Sequence, residues 1–257
     1  MTNTIPHDSR SKEGLIQSHR PDIVAERLRG VNEHSYLKDF IYGAIDGAVT
    51  TFAVVSGVAG AQLSASVVVI LGVANLIGDG FSMAAGNYLG TRAEAEHRER
   101  VRNMEERHIA NVPEGEREEI RQIFRDKGFE GELLEQVVET ITADKQRWID
   151  TMLHEEHGLP SVVPSAMRAA TITFVAFLLV GAIPLIPFVL GLLFGISIPA
   201  PYVISTTLTA IAFFGVGAAK SRVVDTNWMT AGMETLFVGG MAAGLAYACG
   251  VLLGKIL

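Results

Sequence analysis

The sequence predicts an all-α integral membrane protein with five transmembrane helices and a charged helical domain inserted between the second and third. Two observations carry the prediction: long stretches without charge, and a single dense block of acids. Between Ala169 and Ala219 there is no Asp, Glu, Lys or Arg, and between Phe40 and Thr91 only Asp46 and Asp79. A run of about 18 or more apolar residues is long enough to cross the hydrocarbon as a helix. Only helices and closed barrels satisfy every backbone polar group there. These runs are continuous rather than alternating, which selects helices.

The first span is expected over residues 40–60 and the second over 66–89, joined by a short turn. The third, over 167–194, contains Pro184 and Pro187, which remove two backbone donors and predict a kink. A turn at 197–201 leads to a fourth span over 202–219, and the fifth covers 229–253. The expected organisation is a cytosolic amino-terminal tail (1–37), spans one and two (38–90), a helical domain (91–163) and spans three to five (164–257).

Lys and Arg cluster in the tail, the middle domain and the turn after the fourth span. The positive-inside rule therefore places the tail and the middle domain in the cytosol and the carboxyl end outside. The tail lacks the apolar core of a signal peptide, and residues 22–33 are expected to be helical. Cys249 is the single cysteine, which rules out an internal disulfide and a thiolate-cluster zinc site. No phosphate-binding loop or nucleophile–base constellation is present, which argues against an ATP-driven pump or a hydrolase, and the chain is expected not to be an enzyme. Nor does anything point to nucleic acid.

Between Thr91 and Pro160 there are 18 acids against 11 Lys and Arg, a difference of −7 that equals the net charge of the whole chain. This segment is expected to form three helices: 91–110, running on from the second span, then 114–127 and 132–157. Glu94 and His97 repeat, eleven residues later, as Glu105 and His108. Eleven residues is close to three turns, so the four share one helix face. Glu116 and Glu119 repeat the spacing on the next helix, and Met152, Glu155 and Glu156 close the third. Glu-x-x-His pairs on packed helices are how carboxylate bundles hold metal. The competing expectation is a solvated face on which Arg98, Arg102 and Arg107 pair with the acids.

Within the spans, Asn75, Asp79, Met83 and Asn87 recur every four residues along the second, and Asp46 lies inside the first with Thr50 one turn on. An acid in lipid is costly and marks a pathway or a partner. Oxygen ligands with a thioether suit Fe²⁺ or Mn²⁺ better than Ca²⁺ or Na⁺. Gly72, Gly78, Gly80, Gly86 and Gly90 would let another helix approach closely, inside the chain or in a dimer seam.

The run DFIYGAIDGAVTTFAVVSG, then FSMAAGNYLGTRAEAEH, then an acidic insert ending WIDTMLHEEHGLP, resembles the vacuolar iron transporter family of plants and fungi and their bacterial relatives. The resemblance implies a homodimer with five spans per subunit and a pathway at the dimer interface. It also implies Fe²⁺ transport out of the cytosol in exchange for protons. By position, Asp46 and Met83 match the family's transport-path residues. Glu105, Glu116, Glu119, Met152 and Glu156 match ligands of its cytosolic metal-binding domain. His108 stands where a Glu is expected, Leu153 replaces the second of two adjacent Met, and Asn75 stands where plant members carry Glu. Asp79, one turn on, is the candidate for supplying that carboxylate.

The expected protein is thus a transporter of Fe²⁺ and Mn²⁺, with Zn²⁺ and Co²⁺ as further bound cations and no prosthetic group. It sits in a bacterial cytoplasmic membrane, or in a vacuolar one if eukaryotic. A membrane-anchored ferroxidase and a metal sensor are the alternatives. The first predicts oxygen consumption on Fe²⁺ addition, the second binding without flux.

Overall fold

The computed structural model describes residues 12–30, 35–224 and 226–256. Every regular element among them is helical: α1 (Lys12–Ser18), α2 (Pro21–Gly30), α3 (Leu37–Gly60), α4 (Ala65–Asn111), α5 (Pro113–Asp126), α6 (Gly131–Thr142), α7 (Lys145–Glu155), α8 (Ala166–Gly181), α9 (Ile186–Phe194), α10 (Pro201–Val224) and α11 (Trp228–Leu253). The tail helix expected over 22–33 is α2 as far as Gly30, and residues 31–33 lie outside the described ones. The contacts divide the chain into two compact units.

One unit comprises Ser35–Ala93 and Pro164–Leu257. Five helices are long and apolar enough to cross a membrane: Leu37–Gly60, the apolar part of Ala65–Asn111, Ala166–Phe194, Pro201–Arg222 and Trp228–Leu253. Helix α3 is central, packed against α8, α10 and α11. Its buried face is small at Gly43, Ala44, Gly47, Ala48 and Thr51 and larger at Ile41, Phe52, Val55 and Val58, while Phe81, Leu193, Phe237 and Leu245 point outward, each more than 65% exposed. The small stretch lets neighbouring backbones approach closely, which is how helices associate in lipid.

The close approaches are specific. A Cβ on Gly47 would lie 2.4 Å from the Phe177 carbonyl oxygen of α8, and one on Gly250 would lie 2.1 Å from the Gly57 carbonyl oxygen of α3. Both meet backbone, which cannot rotate away. Gly250→Ala is therefore expected to destabilise the bundle by about 1–3 kcal/mol, the usual cost of overpacking. Thermal unfolding in detergent checks this, with Gly244→Ala, where a Cβ meets nothing within 4 Å, as the neutral control.

The kink expected at Pro184 and Pro187 is present: α8 ends at Gly181, a 3₁₀ turn covers Ile183–Leu185, and α9 resumes the span. The Ile186 N–H closes on the Ile183 carbonyl, and the Ser205 hydroxyl of α10 donates to the Pro184 carbonyl at 2.7 Å. The glycines of α4 are not equivalent. Gly72 faces Leu185 and Gly80 faces Phe177 and Phe174, while a Cβ added to Gly78, Gly86 or Gly90 would meet nothing within 4 Å.

The other unit holds Glu94–Val163 together with the described part of the amino-terminal segment. Helix α4 continues without a break to Asn111, where Pro113 opens α5. The third helix expected over 132–157 is two: α6 stops at Thr142 and α7 starts at Lys145. The Asp144 carboxylate accepts from the Arg147 N–H at 2.7 Å, an N-cap that starts a new helix where the apolar spacing alone reads as continuous. Ile120, Leu134, Val138, Ile141, Trp148 and Met152 form the core of this unit, and Val101, Ile149 and Leu153 a smaller second cluster.

Candidate metal sites

Glu105 is the centre of the acidic unit. It lies on the inward face of α4 and is 1% exposed, and Glu116, at the start of α5, is 5% exposed. A carboxyl reaches such burial only with a partner, a cation or a proton, since desolvating its charge alone costs several kcal/mol. Two sets of ligand atoms converge there, each within 4.8 Å: Glu105, His108 and Glu116, and Glu105, Glu156 and His157. His108 Nδ1 is 3.4 Å from Glu116 Oε1. His157 Nε2 is 3.0 Å from Glu105 Oε1 and 3.4 Å from Glu156 Oε2. Among the described residues no N–H or O–H group reaches Glu105 Oε2 or Glu116 Oε2, both buried, so a proton held between the two carboxyls or a cation is what can satisfy them.

The arginines are engaged elsewhere. Arg98 and Arg102 each lie 3.9 Å from Asp150. Arg98 also donates to the Pro160 carbonyl, Arg102 to Gln146 and Arg107 to the Asn103 carbonyl. None of these contacts neutralises Glu105 or Glu116.

Burial, then the charges of Glu119 and Glu105 and a hydrogen bond shared with Glu105, push the Glu116 carboxyl up from 4.5 to about 7. Burial also raises Glu156, joined by the charges of Glu105 and Glu119 and opposed by His157. An acid with a raised folded-state pKa binds more protons folded than unfolded, so metal-free stability falls as pH rises from 4.5 to about 7. The chelator-treated protein in detergent should therefore melt at a lower temperature at about pH 7.5 than at about pH 5.5, with a divalent cation reversing the difference. An unchanged or higher melting temperature at the higher pH would contradict this.

The remaining predicted residues of this unit are placed as follows. Glu119 is exposed but close enough for its charge to act on Glu116. Met152 is fully buried in the apolar core, one turn before Glu156, whose N–H donates to the Met152 carbonyl. Glu155 pairs with Lys127 at 2.5 Å. Glu94 and His97 are exposed and belong to neither ligand set found among the described residues. His157 is a member of one candidate ligand set that the spacing of acids and histidines does not mark. Its one signal in the sequence is its position, directly after Glu156 and before the stop at Gly158.

In the span unit, Asp46 is half-buried on α3 and Asp79 is exposed on α4, and the two carboxylates are near enough for their charges to interact. The Thr50 hydroxyl donates to the Asp46 carbonyl at 2.9 Å. Asn75 Nδ2 donates to Thr50 Oγ1 at 3.2 Å and to Thr51 Oγ1 at 3.4 Å. Met83 is partly buried against the apolar core. Asn87 ties three helices: its Nδ2 donates to Asp39 Oδ1 and to Thr173 Oγ1, both at 2.8 Å, and its Oδ1 accepts from Thr91 at 3.3 Å. Asp39 and Thr173 are not evident from the sequence. Asp39 sits at the edge of a span and Thr173 inside an uncharged run, where nothing distinguishes a bridging hydroxyl from a spectator.

Five helices long and apolar enough to span, and a helical unit in which carboxylates and imidazoles converge on the buried Glu105, define a multi-pass membrane protein with side-chain groups that could hold a metal ion. Residues 37–251 match the model of the VIT family, and the chain belongs to that family. It is 32% identical over 215 residues to vacuolar iron transporter 1 of Arabidopsis thaliana, covering 82% of this chain and 83% of that protein. With the vacuolar iron transporter of Toxoplasma gondii the identity is 31% over 260 residues, covering 96% and 86%. Vacuolar iron transporter 1 of Tulipa gesneriana is 29% identical over 240 residues, covering 93% and 92%. These relatives are named as transporters, not enzymes.

Proposed function

We propose that this protein carries Fe²⁺, and Mn²⁺ with it, out of the cytosol in exchange for protons. The observation that carries the reading is the pairing of two features in one chain: acids within the spans, and buried carboxylates converging on shared ligand sets outside them. The names of the relatives support iron as cargo. In this reading the acidic unit is cytosolic and gathers the cation with Glu105, Glu116, Glu119 and Glu156, while Met152, buried beneath them, is its softer donor. Asp46, Asp79 and Met83 then carry the cation through the spans, where Asn75 and Asn87 hold the hydroxyl scaffold in place.

Carboxylates bind metal only when deprotonated. Protons arriving from the far side therefore favour release, and their departure on the cytosolic side favours loading. A second copy of the chain would cover Asp79 and the open glycines of α4, which is why we take the working unit to be a homodimer. The ferroxidase alternative leaves the acids of the spans without a role.

The test is Fe²⁺ and Mn²⁺ flux into proteoliposomes with and without an imposed pH gradient. Gradient-dependent flux supports exchange. Flux indifferent to pH would remove the proton from the mechanism, and binding without flux would overturn transport.

A further inference from the structure

We propose that His108 and His157 convert the acidic cluster into two mixed nitrogen–oxygen chelates that share Glu105, selecting borderline first-row cations over Mn²⁺. The inference rests on the metal-gathering reading above and adds to it a nitrogen donor for each ion.

Three observations carry it. The two ligand sets each contain one imidazole, and neither holds both histidines, so the geometry divides into two half-sites rather than one. Glu105 is common to both and is 1% exposed, so its two oxygens are the natural bridge. Its Oε1 lies 3.0 Å from His157 Nε2, while its Oε2, like Oε2 of Glu116, is buried without a protein partner. A bound cation would satisfy those oxygens, in competition with a proton shared between Glu105 and Glu116; the His157–Glu105 contact engages only Oε1.

The donor set sets the preference. Carboxylate oxygens alone hold Mn²⁺ and Mg²⁺ well, whereas an imidazole nitrogen strengthens binding of Fe²⁺, Co²⁺ and Zn²⁺ disproportionately. His157 is half-buried and His108 exposed, while Glu116 is buried and Glu156 exposed, so each half has one better-enclosed ligand besides Glu105. Glu155 is withheld from both halves by Lys127, and Arg98 and Arg102 by Asp150.

The experiment is competition titration of the full-length, detergent-solubilised protein with Zn²⁺, Co²⁺ and Mn²⁺, for wild type, His157→Gln and His108→Gln. Wild type should take up two Zn²⁺ per chain. Each variant should weaken one of the two by about 10–100-fold for Zn²⁺ and Co²⁺, the scale on which metal-site groups act, with Mn²⁺ affinity changing several-fold less. Equal losses for all three metals would assign the histidines a merely structural role, and unchanged affinities would remove them from the site; either overturns the proposal. X-ray absorption of the wild type loaded with two Zn²⁺ does not depend on any variant folding. Imidazole scattering at about one ring per zinc supports the assignment, and its absence overturns it. Flux is read separately: histidine-dependent selectivity without flux would sink transport and leave the chelates standing, and flux without it would do the reverse.

Discussion

Asp46→Ala is expected to lower Fe²⁺ flux into proteoliposomes by about 100-fold or more, the loss that follows when a group essential to a metal site is removed. The fold should survive the change. Asp46 is half-buried on α3, and Thr50 bonds its backbone carbonyl rather than its carboxylate, so the side chain is dispensable for packing. Its flanks, Gly47 and Ala48, make the close contacts of that helix face. An acid placed in an apolar span, whose carboxylate has no hydrogen bond among the described residues, has function as its expected reason for being there. Asp79→Ala should reduce flux less if Asp46 alone holds the cation in the spans, and equally if the two share it. Wild-type flux in Asp46→Ala, with protein incorporation matched, would remove Asp46 from the pathway.

Glu105→Gln is expected to lose divalent-cation binding at both ligand sets of the acidic unit together, with affinity falling by about 100-fold. The reason is topological: Glu105 is the one residue common to both sets. Removing any other ligand leaves one set complete. The same substitution deletes a neighbouring negative charge that helps hold Glu116 near 7, so the pH dependence of metal-free melting should weaken as well. Glu94→Gln, on an exposed position of the same helix, should change neither. Isothermal titration and melting curves on the three proteins decide the matter, and retention of both ions in Glu105→Gln would refute the shared-ligand geometry.

Much of the bundle is readable because lipid imposes a simple rule: charge-free runs of sufficient length must span, and the ends of α3, α10 and α11 fall within a few residues of where charge or turn residues return. The break between α6 and α7 is not, since Val138, Ile141, Trp148 and Ile149 are all buried as one apolar series. Only the capping bond of Asp144 shows that the backbone restarts. The spacing of Glu94, His97, Glu105 and His108 puts them on one helix face but carries no information about what covers that face. Helix α5 and the residues just after α7 bring candidate ligands to Glu105 and none to Glu94 among the described residues. Asn87 illustrates the same gap within the spans. Its period along α4 marks it as polar, yet its partners Asp39 and Thr173 are 48 and 86 residues away in sequence.

The hydroxyl of Ser205 has a consequence for how this sequence can drift. The Pro184 carbonyl lies in the turn that interrupts the span, where Pro187, three residues on, has no N–H to offer it, and Ser205, fully buried on the neighbouring helix, donates to it. The two positions therefore form one heritable unit. A lineage that loses the hydroxyl while keeping the turn gives up a bond to that acceptor inside the membrane, whereas one that first restores a regular helix through 184–188 is free to replace Ser205 with alanine. Substitutions at the two sites should accordingly arise in that order among descendants of this chain, and rarely in the other.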